Sequence, residues 1–197
     1  MKILVLVSGN GSNLQALIDA ERRNALGSGR ITAVISDKAD AFALKRAVRA
    51  GIPAFVEAPD PSLPKAERRL DLSNRILRRA RDMDADLIVY AGFLSILSGD
   101  LINVFAGRMI NIHPSLLPKF GGEGMFGNRV HAAALAAGET ESGCTVHFVD
   151  AGTDTGPVVL QRRVPILPGD TPSTLADRIH KEEHIAIVEA VAKIGSV

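Results

Sequence analysis

The 197-residue chain is 46% hydrophobic and 23% charged, with 18 Gly, 10 Pro and a slightly positive mean hydropathy, so it can bury a core and is not a disordered chain. Its 23 Lys and Arg against 22 Asp and Glu, with only 4% aromatic residues, argue against a nucleic-acid surface and for small-molecule partners. Cys144, the one cysteine, excludes an internal disulfide and a Cys-based zinc site and fits a cytoplasmic setting, and the apolar runs Ile3 to Val7 and Leu87 to Leu97 fall short of the roughly 20 residues a membrane span requires.

The apolar run Ile3 to Val7 stops at Ser8-Gly9-Asn10-Gly11, the pattern of a strand buried on both faces of a parallel sheet. Leu14, Leu17 and Ile18, with Glu21 or Arg22, then trace a helical stripe that ends near Gly27 and Gly29. The cycle repeats with a strand at Ile31 to Ile35, a helix at Ala41 to Ala50 closed by Gly51, and a short strand at Ala54 to Val56. A longer helix over Ala66 to Met83 turns Leu70, Ile76, Leu77, Ala80 and Met83 inward, and Leu87 to Tyr90 supplies a fourth strand. After a short helix near Gly99 to Phe105, Arg108 to His113 reads as a strand halted by Pro114. A glycine-rich loop leads to an Ala-rich helix at Asn128 to Ala137; Cys144 to Val149 alternates with period two, Val158 to Val164 returns as its partner strand, and Pro172 to Ile194 is the closing helix. This alternation predicts an α/β fold: an open, mostly parallel twisted sheet with helices on both faces and antiparallel pairing in the C-terminal part. The chain reads as a single domain over 1–197, with a nucleotide- or phosphate-binding half at 1–100 and a catalytic half at 101–197.

Ser8-Gly9-Asn10-Gly11-Ser12-Asn13 lies between a buried strand and a helix, where free backbone N–H groups and the helix dipole favour an anion. It is neither a P-loop, since no Lys follows, nor a dinucleotide fingerprint, since Leu14 stands where the third Gly belongs. Structurally the same segment is a tight turn with Ser12 or Asn13 as helix cap. Asn111 and His113 are two apart on a strand, on one face with Cα atoms roughly 6 to 7 Å apart, at the strand end where α/β sheets bind ligands. Asp154, in Thr153-Asp154-Thr155-Gly156-Pro157, can reach back to a histidine and favour its charged form, and Asp150 competes for that part. His131, His147, His180 and His184 form no metal-ligand pattern, so no metal is expected. Cys144 reads as a small buried residue. The basic run through Lys65, Arg68, Arg69, Arg75, Arg78, Arg79 and Arg81 reads as the solvated outer face of its helix.

Ser8 to Gln15, Ala91-Gly92-Phe93, Asn111 to Pro118 and Val146 to Val149 together resemble the folate-dependent formyltransferase family, and within it the phosphoribosylglycinamide formyltransferases of purine synthesis. The resemblance spans nearly the whole chain and implies a Rossmann-like formyltransferase fold. It also implies transfer of a formyl group from the co-substrate 10-formyltetrahydrofolate to the amine of 5-phosphoribosylglycinamide, through a tetrahedral intermediate and without an acyl-enzyme. In that reading Gly11, Ser12 and Asn13 hold the substrate phosphate and Glu183 contacts the ribonucleotide. The folate lies along Leu94, Ser95, Ile96 and Leu97, with Asn111 and Arg69 as further contacts, and the resemblance makes 101–197 the folate-binding as well as the catalytic half. Asn111 and a protonated His113 serve the developing oxyanion, Asp154 raises the pKa of His113, and Phe120 to Gly127 forms a lid. Ser95 departs from the arginine that many relatives carry there, and the early end of the chain removes a terminal strand pair seen in some. The resemblance leaves a monomer or homodimer open, without nucleic-acid or membrane partners. Two other readings are a formyltetrahydrofolate hydrolase, with water as acceptor, and a non-catalytic nucleotide-binding module that uses Asp37 as a ribose hook.

Overall fold

Ile3, Val5 and Val7 alternate with Leu4 and Leu6 along the first strand, and all five side chains are buried, so this strand must be covered on both faces. The computed structural model, which describes residues 1–196, does this with a seven-stranded sheet between two layers of helices. In chain order the elements are β1 (Lys2–Val7), α1 (Ser12–Arg22), β2 (Arg30–Ser36), α2 (Phe42–Arg49), β3 (Ala54–Val56), α3 (Lys65–Asp82) and β4 (Leu87–Tyr90). They continue with α4 (Asp100–Val104), β5 (Met109–His113), α5 (Asn128–Ala136), β6 (Glu141–Phe148), β7 (Val158–Pro165) and α6 (Pro172–Ile194).

The strand order is β3-β2-β1-β4-β5-β6-β7, parallel from β3 through β5 and antiparallel from β5 to β7, as the apolar runs and the returning strand predict. The chain leaves β1 toward β2 and β3 and comes back to the other side of β1 at β4, so the order reverses between β1 and β4. Such a switch point opens a crevice at the carboxyl ends of the two strands. One core layer packs Ile3, Val5, Val7, Leu87, Val89, Ile110, Ile112, Cys144 and Val146 under α1, α2 and α6. The other packs Leu4, Leu6, Ile35, Ile88, Tyr90 and Met109 under α3 and α4. Asn111, His113 and His147 therefore belong to the second face, beyond the reach of α3 and α4.

Three local expectations are corrected. The helix after the first turn ends at Arg22 rather than near Gly27, because Asn24 takes a left-handed φ of 56° and the chain turns there. Its N-cap is Gly11 in a left-handed conformation, with no side-chain cap, instead of Ser12 or Asn13. Leu70 does not face inward: it is 45% exposed and its Cδ1 lies over Gly99, ahead of α4, while Leu72, Ile76, Leu77 and Ala80 carry the buried stripe of α3. By contrast α6 starts at Pro172 as read, with Thr171 and Thr174 forming a capping box.

Candidate active site

The crevice at the switch point is a cavity of about 620 Å³ with walls from both halves of the chain. Gly9 to Asn13 form one end, Ala91 to Leu97 one side, Asn111 and His113 with His147 and Asp154 the floor, and Gly122 to Gly127 the opposite rim. His131, His180 and Glu183 complete it.

At the first end, Gly11 has φ +78°, and a Cβ there would come within 2.6 Å of the Ala43 side chain, so the turn requires glycine. Without a side-chain cap, the first N–H groups of α1 keep their hydrogen-bonding capacity for an anion. Asn13 donates from Nδ2 to Glu183 Oε2 at 3.3 Å, tying the turn to α6. Glu183 is 5% exposed, and burial raises its pKa against the lowering effects of His180 and Asn13. Ser8 joins this end to the next wall: its Oγ accepts from Leu94 N at 2.8 Å, and its N–H donates to the Gly92 carbonyl at 3.0 Å.

Leu94, Ser95, Ile96 and Leu97 all line the cavity, as the resemblance implies. Ser95 Oγ donates to Asp37 Oδ2 at 2.6 Å, so Asp37 is engaged beneath this segment rather than held out as a ribose hook. Arg69 is not in the cavity wall. Its guanidinium and Lys65 Nζ grip Glu123 Oε1 at 3.0 and 2.6 Å, pinning the glycine-rich loop to α3. The rest of the basic run divides: Arg75 and Arg79 pair with the buried Glu57 at 2.8 and 2.9 Å, and Arg68 donates to the Pro61 and Leu63 carbonyls.

On the floor, Asn111 and His113 share one face of β5, as two-residue spacing demands. Asp154 reaches them: Oδ2 is 3.4 Å from His113 Nδ1 and accepts from Gly122 N at 3.0 Å, and Oδ1 accepts from Asn111 Nδ2 at 3.4 Å. Asp150 spends its Oδ1 on its own turn, on Gly152 N and Thr155 Oγ1. His113 Nε2 donates to the Phe120 carbonyl at 2.9 Å. The sequence expectation that Asp154 raises the His113 pKa is corrected in its net direction. Burial pushes the imidazole below its ordinary value, and the Asp154 charge and the Phe120 carbonyl recover only part of the loss. Burial would raise the Asp154 carboxyl, but His147, the charge of His113 and the Gly122 N–H together hold it below the usual carboxylate range.

His147 is the floor residue that sequence reasoning set aside. It stands directly opposite Asn111 in the β5–β6 ladder, is 2% exposed, and places Nε2 3.1 Å from Asn111 Nδ2 and 3.6 Å from Asp154 Oδ1. Its Nδ1 donates to the Phe148 carbonyl at 2.8 Å, which aims Nε2 at the Asn111 amide and the Asp154 carboxylate. The signal was present: in a strand with Cys144 and Val146 on the core side, His147 has to occupy the other face. His131 was also set aside; it is 1% exposed with an unpartnered Nδ1, and burial, helped by the His180 and His113 charges, pushes its pKa down to about 4. Cys144 is buried and its thiol is pushed up to about 12, first by burial, which makes it a packing residue and no nucleophile. Among the described residues no group of three His, Cys, Asp or Glu is placed to hold a metal ion, and no helix is long and apolar enough to cross a membrane.

The formyl transferase family model matches residues 1–191. A trifunctional purine biosynthetic protein adenosine-3 of Drosophila pseudoobscura pseudoobscura is 49% identical over 196 residues, which are 99% of this chain and 14% of that protein. The phosphoribosylglycinamide formyltransferase of Escherichia coli K12 is 45% identical over 185 residues, 93% of this chain and 82% of that protein. The chain thus spans about a seventh of its insect relatives and most of the bacterial one. In three dimensions it superposes on glycinamide ribonucleotide transformylase 1 of Symbiobacterium toebii with a TM-score of 0.91 at 40% identity, covering 100% of this chain and 88% of that one. With nearly its whole length matched and the polar floor in place, the chain belongs to the formyl transferase family.

Proposed function

We propose that the protein is a phosphoribosylglycinamide formyltransferase, moving the formyl group of 10-formyltetrahydrofolate to the amine of 5-phosphoribosylglycinamide in purine synthesis. The observation that carries this is one continuous cavity that joins an uncapped helix N-terminus, the polar cluster Asn111–His113–Asp154, and the 94–97 wall. The phosphate of the ribonucleotide sits on the N–H groups of Gly11, Ser12 and Asn13, with Glu183 beside its glycinamide portion. The folate lies along Leu94 to Leu97 and against Asn111. Arg69 joins it only by giving up Glu123. In this division of labour residues 1–100 hold the phosphate and residues 101–197 carry the chemistry.

The amine nitrogen attacks the formyl carbon, the carbonyl oxygen becomes an oxyanion, and the new ammonium must lose a proton before the bond to the folate nitrogen breaks. Asn111 Nδ2 and His113 Nε2 are the donors for the oxyanion. The Phe120 carbonyl, 2.9 Å from Nε2, occupies the acceptor position that the oxyanion takes. Both ring nitrogens of His113 face acceptors, Nε2 the Phe120 carbonyl at 2.9 Å and Nδ1 the Asp154 carboxylate at 3.4 Å, and Asp154 offsets part of what burial costs the charged ring. The proton lost by the ammonium goes to the departing folate nitrogen as its bond to the formyl carbon breaks, giving formylglycinamide ribonucleotide and tetrahydrofolate. The loop at 120–127 keeps water from competing as acceptor.

The test is formyl transfer from 10-formyltetrahydrofolate with and without the ribonucleotide, following formylated product and free formate together. Product that requires the acceptor is the expected result. Formate released at the same rate without acceptor would assign a hydrolase, and tight dinucleotide binding with neither product would assign a binding module.

A further inference from the structure

Outside the cavity, Arg46 on α2 spends all three guanidinium nitrogens on the segment around Gly11. Its Nε donates to the Asn10 carbonyl at 2.9 Å, one terminal nitrogen to Asn10 Oδ1 at 2.7 Å and the other to Gln15 Oε1 at 3.1 Å. Its guanidinium also lies 5.0 Å from the centre of the Phe42 ring. Asn10 precedes Gly11–Asn13 and Gln15 follows them, so a single planar group clips both sides of the segment. The rest of α2 presses on the same turn: Ala43 N donates to the Gly9 carbonyl at 3.1 Å, and Ala43 fills the space that a Cβ on Gly11 would need. Arg46 itself lines a second hollow of about 500 Å³ beside α1, with Gln15, Asp19, Arg23 and His184, and Ser12 is common to both cavities. Arg46 therefore acts on the turn from outside the first cavity.

We infer that Arg46 is a positioning residue for the phosphate of the acceptor: it fixes the turn so that the first N–H groups of α1 converge, and it adds a positive charge behind them. The inference rests on the proposed phosphate role of Gly11 to Asn13. The turn at Gly11 has no side-chain cap to hold it, and a site must be held to within about half an ångström to be fully effective. Lysine cannot replace this group, because a single ammonium cannot bond in the three directions of the guanidinium fork.

The experiment compares binding of glycinamide ribonucleotide and of its dephosphorylated riboside, by calorimetry, to the wild-type protein, Arg46→Met and Arg46→Lys. Arg46→Met keeps the stem against Phe42 and is expected to weaken the ribonucleotide about tenfold or more while changing the riboside less than about twofold. Arg46→Lys, which retains the charge and folds if the methionine variant does not, is expected to lose at least about fivefold for the ribonucleotide alone. A general distortion would weaken both ligands equally and overturn the inference, as would wild-type affinity in both variants. Full affinity in Arg46→Lys alone would leave the charge and discard the clip. Failure of the underlying reading is distinguishable: the wild-type protein would then bind ribonucleotide and riboside alike.

Discussion

His131 offers a direct test of the electrostatics of this site. It sits in α5 with 1% of its surface exposed and an unpartnered Nδ1, so its charged form lacks solvent and a counter-charge, and burial with the His180 and His113 charges lowers its pKa to about 4 from 6.5. The unfolded chain titrates at the ordinary value. Between about pH 6.5 and pH 4 the unfolded state therefore binds the extra proton, and stability falls as pH falls through that window. By linkage the loss is about 2 to 3 kcal/mol at about pH 4.5, and it is complete below the folded midpoint. Burial also lowers the pKa of His113 and His184, so the wild-type curve contains all three contributions. His131→Gln isolates one of them. Urea unfolding of both proteins, near pH 7 and near pH 4.5, should show the variant losing about 2 kcal/mol less than the wild type on acidification. NMR titration of the His131 ring should give a midpoint near 4. A midpoint above about 6, or identical acid sensitivity in the two proteins, would refute the reasoning.

Asn111→Ala and His113→Ala should each lower kcat by about 10²- to 10³-fold, or about 3 to 4 kcal/mol, with the fold intact by circular dichroism; near-normal turnover in either would remove that donor from the chemistry. Gly11→Ala places a Cβ 2.6 Å from Ala43 at a positive φ, and should cost about 1 to 3 kcal/mol in denaturant unfolding as well as weaken the ribonucleotide. Glu123→Gln breaks the grip of Lys65 and Arg69 on the loop; the pairs are exposed and add little to stability, so the expected change is more formate released per product formed, and an unchanged ratio would show that the tether has no part in excluding water.

The strands and most helix bounds were legible because a strand buried on both faces has no room for a polar residue, so Ile3 to Val7 and Leu87 to Tyr90 stand out without any partner in view. Asn111 and His113 were legible for the same reason in reverse: they interrupt such a run at the end where ligands bind. Contacts between distant segments were not legible. His147 lies 36 residues from Asn111, and only the antiparallel register puts them opposite each other. Arg69 and Glu123 are 54 residues apart, and nothing local in the basic face of α3 favours an acidic partner over a folate. The direction of the His113 pKa depends on burial set against one carboxylate, and a sequence supplies the carboxylate without the burial.

The change of strand direction after β5 explains why the polar cluster is where it is. Parallel neighbours are joined by crossover helices, and those helices cover the sheet; under α3 and α4 the second face is mainly apolar. Antiparallel β6 needs no helix over that face, so Asn111, His113 and His147 remain beyond the helical layer, with Thr145 paired to His113 in the ladder. The segments leaving the two strands then fold over them and supply the Phe120 carbonyl, the Gly122 N–H and Asp154. Asn111, His113 and His147 thus stand on strands, whose register holds them fixed, while the Phe120 carbonyl, the Gly122 N–H and Asp154 come from the connecting segments. In the proposed mechanism the oxyanion replaces a protein carbonyl while the donors stay in register, since moving them would break ladder hydrogen bonds in the centre of the sheet.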